Sequence, residues 1–171
     1  MIEKTQFQNL IERMLREINM HSRAAVYLLL GTAAQESGFG TYLRQIGQPS
    51  IANQPAQERR AGPALGVFQM EPETAQDIWI CYLGFREDLA VTVWQATGES
   101  CASERALESN IAYQIAMARI HYRRVSESLP PYNDIPALAR YWKQHYNTPE
   151  GKGTEEEFVK NYQKYIPEVQ K

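Results

Sequence analysis

The sequence predicts a mainly α-helical, compact single domain over residues 1–171, with at most a small β element. Three observations carry that prediction. Phe7, Leu10, Ile11, Met14, Leu15 and Ile18 recur at i, i+3, i+4, i+7 spacing, the mark of an amphipathic helix. The next segment is apolar on most faces through Val26, Leu28, Leu29, Ala33 and Ala34, which marks a helix buried at the centre. Glycine, proline and capping residues fall at the ends of such segments, where helices start and stop. The 171 residues suffice for one core, and no linker, repeat or low-complexity stretch divides them.

Taken in order, Thr5 with Gln8 reads as a capping box for the first helix. The second opens after a Ser22 cap and closes at Gly38 and Gly40. Residues 41–64, with Gly47, Pro49, Pro55, Gly62 and Pro63, read as a long loop. A third helix starts at Pro72, carries Ala75, Ile78, Trp79, Tyr82 and Leu83, and is closed by Gly84. Residues 88–97 fit strand or helix, with helix favoured by Leu89, Val93 and Trp94. Asn110 to Val125 is a helix with Ile111, Ile115, Ala118 and Tyr122 on one face. After Pro130-Pro131, Asp134 and Pro136 start another through Leu138, Tyr141 and Trp142. Thr154 with Glu157 is a second capping box, opening a helix through Phe158, Tyr162, Tyr165 and Ile166.

Composition narrows the function. A net charge of −2 gives no basic field for nucleic acid or anionic lipid. The longest apolar run, Ala24 to Leu30, is too short to span a bilayer, so no stable membrane insertion is expected. No charged-then-apolar signal segment follows Met1. Cys81 and Cys101 form neither a disulfide framework nor a metal spacing and read as reduced, mostly buried thiols. His21, His121 and His145 are too scattered for a ligand set, so neither metal nor cofactor is expected.

The chemistry gathers around Glu36. It falls in the last turn of the second helix, where apolar surroundings and the negative end of the helix dipole both disfavour its ionised form. A carboxyl with a raised pKa delivers a proton at neutral pH, as glycosidic bond cleavage requires. A solvated carboxylate near a helix end is the plain alternative. The later segment 66–75, Gly-Val-Phe-Gln-Met-Glu-Pro-Glu-Thr-Ala, is glycine-led and carries one amide, Gln69, that can fold back over the acid.

Glu36-Ser37 together with that segment resembles the soluble lytic transglycosylase and goose-type lysozyme group of the lysozyme-like superfamily. In that group a Glu-Ser pair precedes Gly-Leu-Met-Gln-(Ile/Leu)-x-Pro-x-Thr-Ala. Gly66, Gln69, Pro72, Thr74 and Ala75 match directly, and Val67, Phe68 and Met70 are apolar replacements. Asn110-Ile111 looks like the group's Asn-led helix. Its final Ala-x-Tyr-Asn-x-Gly segment is matched loosely by Ala139-Arg140-Tyr141-Trp142, with Tyr146-Asn147 as a competing alignment. The resemblance covers roughly residues 24–153. The spacing from Glu36 to Gly66 is longer than the group's, the extra length lying within Tyr42–Ala61.

The resemblance implies a lysozyme-like helical fold and cleavage of the MurNAc–GlcNAc β-1,4 bond of peptidoglycan. Glu36 would be general acid, then base. Ser37 and Gln69 would hydrogen-bond around the sugar, and Gly66 would let the backbone approach it. Phe68 and Met70 would shape the cleft, and Tyr141 or Tyr146 would orient the Glu36 carboxyl. Core packing is the default for most aromatic residues, with Tyr141 and Trp142 assigned to the cleft instead. One catalytic glutamate is implied, the substrate's acetamido group assisting, with a 1,6-anhydro-MurNAc product. Glu58, Glu71, Glu73 and Asp77 are the candidates for a second carboxylate. Alternatives are a hydrolytic lysozyme or endolysin, a chitinase-type hydrolase, and a non-catalytic lysozyme-like module that binds glycan or builds a virion. The expected partner is a peptidoglycan glycan strand, with other virion proteins as a further class. A bacteriophage origin fits, the protein reaching the periplasmic wall through holin release or virion delivery.

Overall fold

The computed structural model describes residues 1–45, 62–147 and 151–166. Its described residues form eight α-helices: α1 (Lys4–Glu17), α2 (Arg23–Ser37), α3 (Pro72–Asp77), α4 (Glu87–Thr97), α5 (Glu104–Ser109), α6 (Ile111–Arg123), α7 (Ile135–Trp142) and α8 (Glu155–Tyr165). Two of them end in π-helical turns, Ile78–Tyr82 after α3 and Lys143–Asn147 after α7. The mainly α single domain expected from the periodicity is what the chain adopts, and residues 88–97 are helical. The short α5, which the periodicity did not isolate, is capped by Ser103. Among the described residues no helix is long and apolar enough to cross a membrane.

Helix α2 is the axis of the fold. Ala25, Val26, Leu28 to Ala34 and Ser37 are buried on all its faces. Ser22 Oγ accepts from Ala25 N at 3.1 Å, and Gly38 ends the helix in the left-handed region at φ +56°. Helix α8 packs closely on it because Gly31 has no side chain. A Cβ there would overlap the ring of Phe158 and lie 2.9 Å from Tyr162 Cδ2. Helix α6 is the second buried rod, with Tyr113 to Ile120 and Tyr122 withdrawn from solvent. The Tyr122 hydroxyl donates to Thr32 Oγ1 at 2.8 Å, because Thr32 already gives its proton to Leu28 O. Burying this many aliphatic and aromatic side chains, each contributing about 1.5–3 kcal/mol, holds the helices together.

Between α2 and α3 the described chain is made of turns, at 38–41 and 66–69, and isolated bridges. Leu65 and Met70 exchange both backbone hydrogen bonds at 3.0 Å, closing a four-residue turn, and Arg44 pairs with Leu65 on the other side. These isolated bridges are the small β element.

Several local expectations are corrected. Glu3 rather than Thr5 caps α1, its carboxylate accepting from both Thr5 N and Gln6 N. A charged acceptor two residues earlier outcompetes the hydroxyl. Cys81 and Cys101 are exposed, not buried. Trp94 is half exposed despite its helical spacing. The sequence Arg123-Arg124 reads as the solvated end of its helix, but Arg124 pairs with Asp77 and donates to His121 Nδ1 at 3.0 Å. The second capping box, Thr154 with Glu157, forms reciprocally.

Candidate active site

A cleft of about 840 Å³ opens beside the C-terminal end of α2. Its lining includes Glu36, Tyr42, Gln69, Met70, His121 and Tyr146, together with Glu71 and Thr74 of the α3 start and Gly151 to Gly153. Glu36 is half-buried in this wall. Burial pushes its carboxyl from the ordinary 4.5 up to about 7, against a smaller lowering by a hydrogen bond from Trp142. The indole Nε1 donates to Glu36 Oε1 at 2.8 Å.

The turn over the acid is fixed from both sides through one residue. Ser37 Oγ donates to Val67 O at 2.7 Å, and Val67 N donates to Gln114 Oε1 at 2.7 Å. Side chains of α2 and α6 thus hold the two polar atoms of one residue. The left-handed backbone at Gly66 (φ +74°) and Gln69 (φ +47°) makes the turn tight. A non-glycine residue in that region is a local strain that neighbouring structure must sustain. Gln69 secures itself by donating Nε2–H to Gly66 O at 2.7 Å while lining the cleft.

The expected site residues therefore divide. Glu36, Gln69, Met70 and Tyr146 meet at the cleft. Ser37 does not line it. It is fully buried, and its hydroxyl is committed to Val67 O and to Gly40 N at 2.8 Å. Gly66 is required by protein rather than by a ligand. A Cβ there would overlap the Leu107 carbonyl and lie 2.6 Å from Gln114 Cδ. Phe68 is core, 1% exposed, with its ring 6.1 Å from Phe7. Tyr141 is buried away from the lining and donates to Glu127 O at 3.1 Å. Trp142 is completely buried and reaches the site only through its N–H. Of the two competing tyrosines, Tyr146 is at the cleft. Its hydroxyl donates to Phe68 O at 2.8 Å, and the carboxyl-orienting role expected of a tyrosine is taken by Trp142.

Tyr42 and His121 are among the lining residues not singled out from sequence. Tyr42 donates its hydroxyl to Glu36 O at 3.0 Å, and burial followed by the Glu36 charge raises its phenol pKa. Only its position just past the Gly38–Gly40 stop hinted at this. His121 is neutral, its pKa brought down to about 4 by burial and then by Arg124. Its Nε2–H faces His145 O at 2.9 Å and its Nδ1 accepts from Arg124, so both nitrogens are occupied. Asn147, the other half of the Tyr146-Asn147 pair, also lines the cleft.

Of the candidate second carboxylates, Glu71 lines the cleft but is exposed, and Glu73 is exposed outside the lining. Asp77 is tied to Arg124. Glu58 and nearly all of the extra length between Tyr42 and Ala61 lie outside the described residues. Glu36 is thus the one half-buried carboxyl among the described lining residues. The arrangement can hold a proton at neutral pH and transfer it to a group in the cleft. Comparisons with protein-family models, curated proteins and solved structures gave no match.

Proposed function

We propose that this protein is a peptidoglycan-cleaving enzyme acting on the MurNAc–GlcNAc β-1,4 bond as a lytic transglycosylase. The observation that carries the reading is the Glu36 carboxyl, raised to about 7 in the wall of a large cleft and anchored by Trp142. That value leaves the acid about half protonated at neutral pH, where a general acid is most effective. The resemblance of Glu36-Ser37 and residues 66–75 to the transglycosylase and goose-type lysozyme group supplies the substrate class.

In this reading Glu36 protonates the glycosidic oxygen as the C1–O bond breaks. The C6 hydroxyl of the same MurNAc then adds to C1 and returns its proton to Glu36. No water is consumed, and the product ends in a 1,6-anhydro ring. The acetamido group of the substrate assists at C1 in place of a second carboxylate. The other lining carboxylate, Glu71, is exposed, which favours the route with one glutamate. Around Glu36 the phenol protons of Tyr42 and Tyr146 are committed to backbone carbonyls, so toward any ligand these oxygens can act only as acceptors. Such a wall suits a sugar rich in hydroxyl and amide donors. Action on a periplasmic wall, after holin release or virion delivery, completes the proposal. Incubating purified cell walls with the wild-type protein and with Glu36→Gln tests it. Clearing by the first and not the second is expected, and equal clearing by both overturns it.

A further inference from the structure

The indole of Trp142 is placed with more care than a core side chain needs. Its ring is completely buried and lies 5.3 Å from the ring of Phe158 on α8. On the other side it abuts Gly153, where a Cβ would stand 2.7 Å from Trp142 Cη2. The ring is therefore clamped between α8 and a residue that lines the cleft. Its sole polar atom meets one chosen atom of Glu36, Oε1, at 2.8 Å. Among the described residues Glu36 Oε2 has no hydrogen-bond partner.

An indole N–H donates and cannot accept. A neutral carboxyl has one carbonyl oxygen, which is the better acceptor, and one hydroxyl oxygen. A donor fixed on Oε1 makes Oε1 the carbonyl oxygen and leaves the proton on Oε2. When the proton departs, the same N–H faces the new negative charge and strengthens. We propose that Trp142 is a positioning residue that dictates which oxygen of Glu36 carries the transferable proton, so that Oε2 presents it to the cleft. The assignment of that proton to catalysis rests on the proposed cleavage reaction, whereas the hold of Trp142 on Glu36 does not.

The test titrates Glu36 directly, with the carboxyl carbon labelled and observed by NMR, in the wild-type protein and in two variants. Trp142→Phe removes the N–H with some loss of ring. Site-specific replacement of Trp142 by its benzothienyl isostere removes the N–H and keeps the bicyclic shape, so it serves if Phe leaves a cavity that unfolds the chain. Loss of a donor to the charged form should move the Glu36 midpoint up by about one pH unit, a roughly tenfold change in its ionisation constant. In the wild type, the Trp142 indole proton should shift with the same midpoint as the Glu36 carboxyl. On cell walls the isostere should lower kcat by about tenfold or more with KM nearly unchanged, as for an interaction that matters mainly in the transition state. An unshifted midpoint in the isostere overturns the inference even if walls are still cleaved. A shifted midpoint in a protein whose wild type cleaves no wall upholds the Trp142–Glu36 hold and sinks the functional reading instead.

Discussion

Trp142 and Glu36 stand 106 residues apart in the chain and meet through a 2.8 Å hydrogen bond from indole to carboxyl. The bond joins the end of α7 to the end of α2. The orientation of this carboxyl therefore depends on how α2, α7 and α8 pack, and its raised pKa is set by burial in the core.

The raised carboxyl has a consequence for stability. The folded chain holds the Glu36 proton more tightly than the unfolded chain, whose value is near 4.5, because the folded value is about 7. The contribution of this group is therefore full below about pH 4.5, declines as pH rises from there to 7, and is flat above. Glu36→Gln keeps an acceptor for the Trp142 indole and removes the buried charge. It should stabilise the protein at pH 8 by about 1–3 kcal/mol and leave it nearly unchanged at pH 4. Urea unfolding of both proteins at the two pH values checks this. A variant less stable than wild type at pH 8 would contradict the burial of the charge.

Ser37 should matter to the turn over the acid and not to a ligand. Replacing it with alanine leaves Val67 O and Gly40 N without their buried partner. A loss of about 2 kcal/mol in unfolding free energy is expected, with an unchanged denaturant slope. A loss below about 0.5 kcal/mol would mean that the hydroxyl is not the tie described, since a buried orphaned acceptor costs more than that.

Gly66→Ala combines a left-handed backbone at φ +74° with overlap on the Leu107 carbonyl. Overpacking and strain together should cost about 3 kcal/mol or more. Thermal unfolding checks the size. Full stability with lost cleavage would show that the glycine serves the substrate after all.

How far the sequence reveals this site follows from the kind of contact involved. Helices were legible where a stripe and its ends agree, as in α2 between Ser22 and Gly38 and α8 behind Thr154 and Glu157. Glu36, Gln69 and Met70 were legible as candidate site residues because their motif brings them near one cleft, whereas sequence left Tyr146 and Tyr141 as alternatives and only the fold separates them. Motif spacing brings Ser37, Gly66 and Phe68 to the same place but cannot say which way each faces. Positive φ at Gly66 and Gln69 turns Phe68 into the core and leaves Gln69 at the cleft. The hold of Trp142 on Glu36 was beyond reach, because no local pattern encodes a contact between the ends of two helices so far apart in the chain. The exposed Cys81 and Cys101 mark the limit of composition, which supplies an average burial and not a position.

The proposed reaction, cleavage of glycan strands by Glu36, leaves an anhydro product. Mass spectrometry of fragments released from purified peptidoglycan tests it most directly. The wild-type protein should release fragments ending in 1,6-anhydro-MurNAc, and Glu36→Gln should lower the yield by about 100- to 10,000-fold, the usual worth of a general acid. Wild-type digests that contain no such ends, or equal release by the Glu36→Gln protein, would overturn the proposed reaction.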